Sequence, residues 1–198
     1  GRRDFYKSWD QVEVPTPRDF LGLDAHSVEL SGAGWEGMTD RESKGAAAKW
    51  YAPETMPKDG WVAVDSNDPM LLLNNKFGNE LVKLADIWLK RTVSFTEAQL
   101  PHLKYLHMIR PQVHGKYCDA YLNGRPLKLI TPDRVGENSV CFELGSALRA
   151  GENQFVLRLD GTPPLWFIAL GRLPVRPYPG MTEPENRLWF DATNFSAW

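Results

Sequence analysis

With 198 residues, 42% of them hydrophobic, the chain is long enough to bury a core as one all-β domain or as one domain plus an appendage. Its net charge of −2 creates no field that would recruit nucleic acid or an anionic membrane surface, so neither partner is expected. Apolar runs such as Met70-Leu71-Leu72-Leu73 fall far short of the roughly 18 residues that a membrane-spanning helix needs.

Gly1-Arg2-Arg3-Asp4 has charge but no apolar region behind it, so it does not read as a signal peptide. With Gly rather than Met at position 1, a mature or excised piece of something longer is expected. Residues 1–65 are rich in Gly, Pro and Trp and show little sustained period; 12–14 and 27–30 are candidate short strands. From 31 to 60 the chain reads mostly as loop, with a helical turn at 42–49. Long irregular segments are uncommon inside compact domains, so this one either carries function or packs tightly on the rest. The stretch 79–86 predicts one or two helical turns capped by Asn79.

The clear β pattern occupies residues 86–175. Ile87, Leu89, Val93 and Phe95 share a face that Arg91 interrupts, with Trp88, Lys90, Thr92 and Ser94 opposite; this mixture predicts a strand covered over only part of its length. The stretch 103–110 is apolar and β-compatible, and Pro111 ends it. Asn123-Gly124 lies between two apolar-containing runs and is the strongest short-range hairpin signal, because a type I′ turn needs positive φ at both central residues. It makes 117–122 one strand and 127–130 its expected partner. A strand at 140–144, a turn at 145–151 and a strand at 153–159 follow, the last with Phe155, Leu157 and Leu159 on one face. Residues 165–170 read as a final buried strand. Pro174, Pro177, Pro179 and Pro184 then mark an extended segment. Short strands at this spacing predict an antiparallel sandwich or barrel. The expected organisation is one domain over 1–175 with a loop-rich N-terminal part, then 176–198 as a Pro-rich linker or the start of a following domain.

Three stretches carry a resemblance. Asp86-Ile-Trp-Leu-Lys-Arg-Thr-Val-Ser-Phe95 resembles the W-Y-R-k-x-F strand of the galactose-binding-like jelly roll. That domain is the accessory domain of glycoside hydrolase family 2 enzymes, and it is inserted in sialate O-acetylesterase-like hydrolases. Asp119-Ala-Tyr-Leu-Asn-Gly124 resembles its D-x-x-V-N-G hairpin, and Leu148-Arg-Ala-Gly-Glu-Asn-Gln-Phe-Val-Leu157 resembles its L-k-x-G-x-N-x-(I/L)-x-V turn and strand. The order and spacings agree with that family, while the first 80 residues show no match. The resemblance implies an all-β antiparallel jelly-roll sandwich, in a secreted or periplasmic protein, whose partners are a glycan or oligosaccharide and a catalytic domain of the same polypeptide. These motifs are structural in the family, so no catalytic residue is carried over.

The residues themselves offer little chemistry. A nucleophile elbow, Gly-x-Ser-x-Gly, is absent, and Leu144-Gly145-Ser146-Ala147 is only half of one. His26, His102, His107 and His114 show no i,i+4 pattern with Glu and no neighbouring Cys pair, so zinc has little support. No Gly-rich loop precedes a helix to cradle phosphate. With 25 acidic residues, a glycosidase-type carboxylate pair is neither visible nor excluded. Cys118 and Cys141 fall in different strands and would bond only if those strands were neighbours; two buried thiols are the plainer expectation, which leaves the compartment open. Asn194-Phe195-Ser196 fits the glycosylation acceptor pattern, of consequence only in a eukaryotic secretory setting. No cofactor is implied. Asp65-Ser-Asn-Asp68 is an oxygen-rich candidate for structural calcium, although such turns usually hydrogen-bond their own backbone.

Aromatic usage is more informative, since eight Trp is high for this length. Sugar rings stack C–H faces on exposed indole while their hydroxyls pair with polar side chains. Trp35, Trp50 and Tyr51 fall in expected loops and form the candidate glycan platform, with Arg110 and His114 as polar neighbours. The plainer alternative is that each aromatic plugs the sandwich or pins a loop. Three roles therefore compete: a non-catalytic carbohydrate-binding domain of a larger carbohydrate-active protein, a scaffold packed on a catalytic domain, and a part of a glycan hydrolase completed by residues 1–80.

Overall fold

The computed structural model describes residues 18, 21, 23–67, 86–109, 118–130, 139–160 and 167–174. The expected strand at 12–14, the turns at 79–85 and the segment 176–198 lie outside them. The described chain is an all-β sandwich of two antiparallel sheets. One sheet has the order β1 (Val28–Glu29), β11 (Phe167–Gly171), β5 (Tyr105–Ile109), β9 (Ser139–Glu143), β8 (Lys128–Ile130). The other runs β3 (Val62–Val64), β2 (Trp35–Asp40), β4 (Asp86–Phe95), β10 (Gly151–Asp160), β6 (Cys118–Leu122), β7 (Arg125–Pro126).

The two ten-residue strands, β4 and β10, pair over their whole length, from Gly151 opposite Phe95 to Asp160 opposite Asp86. That register fixes the two faces. Ile87, Leu89 and Phe95 point inward with Phe155, Leu157 and Leu159, and they meet Leu106, Met108, Phe142, Ile168 and Leu170 from the opposite sheet. Alternation of apolar and polar side chains forces this choice, because a one-residue slip would turn the apolar set outward. The outer residues of β4 change along its length: Trp88 is fully buried, whereas Thr92 and Ser94 are exposed, as the mixed pattern predicts.

Two expectations need correction. Residues 31–60 are not mostly loop, since β2 lies within them. Its Gly37 and Thr39 pair with Leu89 and Ile87 of β4, and Gly37 has room only for hydrogen between Val64 and Leu89. A strand reading Trp-Glu-Gly-Met-Thr-Asp hides its β character behind that glycine. The hairpin after β6 is the second. Asn123 and Gly124 do adopt positive φ, 52° and 76°, but the partner of β6 is only Arg125–Pro126. Past Leu127, whose N–H still bonds Ala120, the chain crosses to the other sheet, where Lys128–Ile130 pairs with β9. Pro126 lacks the N–H needed to prolong the ladder, so this edge ends early.

Cys118 on β6 packs against the inter-sheet core, while Cys141 on β9 is buried on the far side of the five-stranded sheet with Leu21, Phe167 and Ala169. They belong to different layers and are not bonded to one another.

Candidate functional site

The outer face of the six-stranded sheet holds most of the unusual chemistry. The register builds it in rows. Trp88 of β4 lies beside Met38 on β2 and Arg158 on β10, which in turn lies beside Asp119 on β6. In the next row Glu36, Lys90, Val156 and Tyr121 follow in the same order. Beyond them come Thr92 and Gln154.

The segment 41–61 covers the first two rows. Asp40, at the end of β2 and 2% exposed, starts it: Oδ1 accepts the N–H of Lys44 and Oδ2 that of Gly45, at 3.1 and 2.6 Å. A buried carboxylate that accepts two backbone N–H groups satisfies donors that a tight turn otherwise strands. Helix-like bonds then run from Ala48 N to Lys44 O and from Met56 N to Ala52 O, so the turn expected at 42–49 forms and continues. The segment is fastened by rings. Tyr51 stacks on Tyr121 at 4.1 Å and 4°, Trp50 leans on Trp88 at 5.9 Å, and Ala46, Met56 and Trp61 close the same cluster.

The candidate platform is thus redistributed. Trp35 is 1% exposed, within the inter-sheet core, and its indole N–H donates to Leu30 O at 2.7 Å. As the first residue of β2 it points between the sheets and is no solvent-facing platform. Trp50 and Tyr51 are half-buried and turned onto Trp88 and Tyr121. Arg110 and His114 lie outside the described residues.

Charged groups under this cover are paired. Arg158 Nε and Nη2 donate to one Asp86 oxygen at 3.0 and 2.8 Å, and Nη1 donates to Asp119 at 3.2 Å. The guanidinium also lies 6.0 Å from the Trp88 ring. Burial, helped by the Asp119 charge, pushes the Tyr121 phenol up to about 12. The two carboxylates closest to one another here therefore share a cation and serve the fold.

Two shallow clefts open on the described surface. One, of about 440 Å³, is lined by His26 and His102, whose rings stack at 4.1 Å and 16°. The other, of about 450 Å³, lies where β2 meets β4 and β10 and is lined by Glu36, Lys90, Arg91, Thr92 and Gln154. Sequence pattern gave no hint of it, because its residues come from three strands that only the register brings together. Lys90 Nζ is held between Glu36, at 3.2 Å, and the Trp61 ring, at 4.4 Å. Among the described residues no group of three or more His, Cys, Asp or Glu gathers to hold a metal. Asp65 of the calcium candidate instead accepts the N–H of Asn67 at 2.8 Å, as an Asx turn does, and Asp68 lies outside the described residues.

No family model matches the chain, and no curated protein does. Solved structures do. A β-glucuronidase from Ruminococcus gnavus in complex with D-glucuronic acid superposes with TM-score 0.50 and 18% identity, covering 68% of this chain and 22% of that one. A β-glucuronidase from an uncultured Clostridium sp. superposes with TM-score 0.51 and 18% identity over the same shares. At this identity the likeness is one of fold, and the chain spans about a fifth of the length of the enzymes that it matches. The fold defined here is an antiparallel β-sandwich of the kind that forms one part of such multi-part glycosidases.

Proposed function

We propose that the chain is a non-catalytic accessory domain of a larger carbohydrate-active protein, related to the galactose-binding-like jelly roll of glycoside hydrolase family 2. The observation that carries this reading is the fold likeness to glycosidases over only 22% of their length, in the same strands that bear the three family-like motifs. A module of that size beside a catalytic domain contributes packing surface and cleft walls. The placement of Trp50 and Tyr51 favours packing over glycan stacking at that loop, since the rings are stacked on the sheet that they cover.

The test is turnover by the isolated chain. Aryl β-glycosides, aryl β-glucuronides and aryl acetates should survive incubation with folded protein at the rate of the blank. Sustained hydrolysis that copurifies with the chain would overturn the reading and move the catalytic role to residues 1–80.

A further inference from the structure

We propose that the cleft formed by β2, β4 and β10 binds the carboxylated unit of a saccharide, a hexuronate, with Arg91 and Lys90 meeting the carboxylate and Gln154 a ring hydroxyl. Three observations converge on it. The first is a buried acceptor without a donor: Gln154 Oε1 is shut off from solvent and has no hydrogen-bond partner. Its backbone N–H is held by Asn123 Oδ1 at 2.9 Å, so the residue is fixed in place while its carboxamide is left over. A buried carbonyl without a donor costs about 1–3 kcal/mol, and a hydroxyl supplied by a ligand removes that cost.

The second is an open guanidinium edge. Arg91 makes both of its hydrogen bonds through Nη1, to Leu30 O at 2.8 Å and Ala33 O at 3.0 Å. Those bonds lock the group and leave Nε and Nη2 with donors to give. Gly34, at φ +97°, keeps that edge uncovered: a Cβ there would sit 3.3 Å from Arg91 Cζ. A planar fork held this way is suited to carboxylate.

The third is charge. Two cations, Lys90 and Arg91, face one carboxylate, Glu36, whose side chain is 53% exposed. The surplus positive charge selects an anionic ligand, and Gln154 with Thr92 selects one that also carries hydroxyls. A carboxylated sugar has both on one ring, whereas a simple carboxylate or a neutral sugar has one each. This deepens the accessory reading and rests on it only for the choice of saccharide; binding and turnover are separate readouts, so either fails without the other.

The experiment is calorimetric or saturation-transfer titration of the whole chain with D-glucuronate and D-galacturonate, beside D-glucose, D-galactose and acetate. Both uronates should bind at least about tenfold more tightly than the other three. Gln154→Leu should weaken uronate binding about tenfold while the melting temperature holds or rises, because the unpartnered acceptor is gone. Lys90→Met should erase the preference for uronate over neutral sugar. Neutral sugars or acetate binding as tightly as the uronates, no binding by any probe, or a Gln154→Leu chain that melts lower or binds unchanged would each overturn the proposal.

Discussion

The carboxamide nitrogen of Asn123 donates to Oδ1 of Asn153 over 2.9 Å, joining the β6–β7 turn to the start of β10. Asn153 is fully buried, and all its capacity is spent: Nδ2 donates to Arg149 O and Gly151 O, and Oδ1 also accepts the N–H of Arg149. Asn123 in turn donates to Ala147 O and accepts from Gln154 N. Asn153→Ala would strand several buried partners at once, so a loss of about 2–3 kcal/mol is expected from denaturant unfolding. Asn153→Asp should cost a similar amount, since it removes the two donated bonds. A loss under about 0.5 kcal/mol would show that the pair does not hold the turns.

His107 makes stability depend on acid. It is completely buried, its Nε2–H donates to Leu173 O at 2.9 Å, and its Nδ1 has no partner. Burial pulls its pKa from 6.5 down to about 4, against the opposing pull of the Leu173 carbonyl. The unfolded chain therefore binds more protons than the folded one between those values. Its contribution is complete above pH 6.5, falls as pH drops, and levels off near pH 4, a total on the order of 3 kcal/mol. Unfolding free energies measured from pH 7.5 to 4 should show that slope, and His107→Phe should flatten it. An equal slope in the variant would assign the effect elsewhere.

Arg158 is expected to be the costliest single charge to remove. Arg158→Met takes away the cation between Asp86, whose side chain is 5% exposed, and Asp119. Breaking a buried pair from one side costs about 3–5 kcal/mol, more than removing both members. The double variant with Asp86→Asn should recover part of the loss in chemical denaturation. No recovery would mean that Arg158 acts through its packing on Trp88 rather than through Asp86.

The β4, β6 and β10 strands were legible because period-two alternation and the Asn-Gly and Gly-Glu-Asn turns are local signals, and the inward faces of β4 and β10 came out as the pattern required. The partner of the hairpin was not. Leu127, Leu129 and Ile130 are β-compatible in either sheet, and what sends them across is Pro126, whose effect depends on an edge that only the topology creates. Trp35 read as loop because Gly32, Gly34 and Gly37 surround it, yet those glycines serve positive φ at 83° and 97° and a close strand approach. The cleft around Gln154 was invisible for a different reason: residues 36, 90 and 154 meet through register alone.

The segment 41–61 should behave as part of the fold rather than as a movable binding loop. Gly45 shows why: a Cβ there would lie 2.7 Å from Trp50 and 2.8 Å from Trp88 ring atoms, distances at which something must shift. Trp88 is fully buried between Met38 and Arg158 and has no room to move, so Gly45→Ala must displace Trp50 and lift the segment. Overpacking of this kind costs about 1–3 kcal/mol. Tyr51→Ala removes the ring stacked on Tyr121 and should cost about 2 kcal/mol, part area and part ring contact. Both variants should also raise proteolytic cleavage between residues 41 and 61. Unchanged stability in Tyr51→Ala together with weakened binding of a glycan would instead return Tyr51 to the platform that its loop position first suggested.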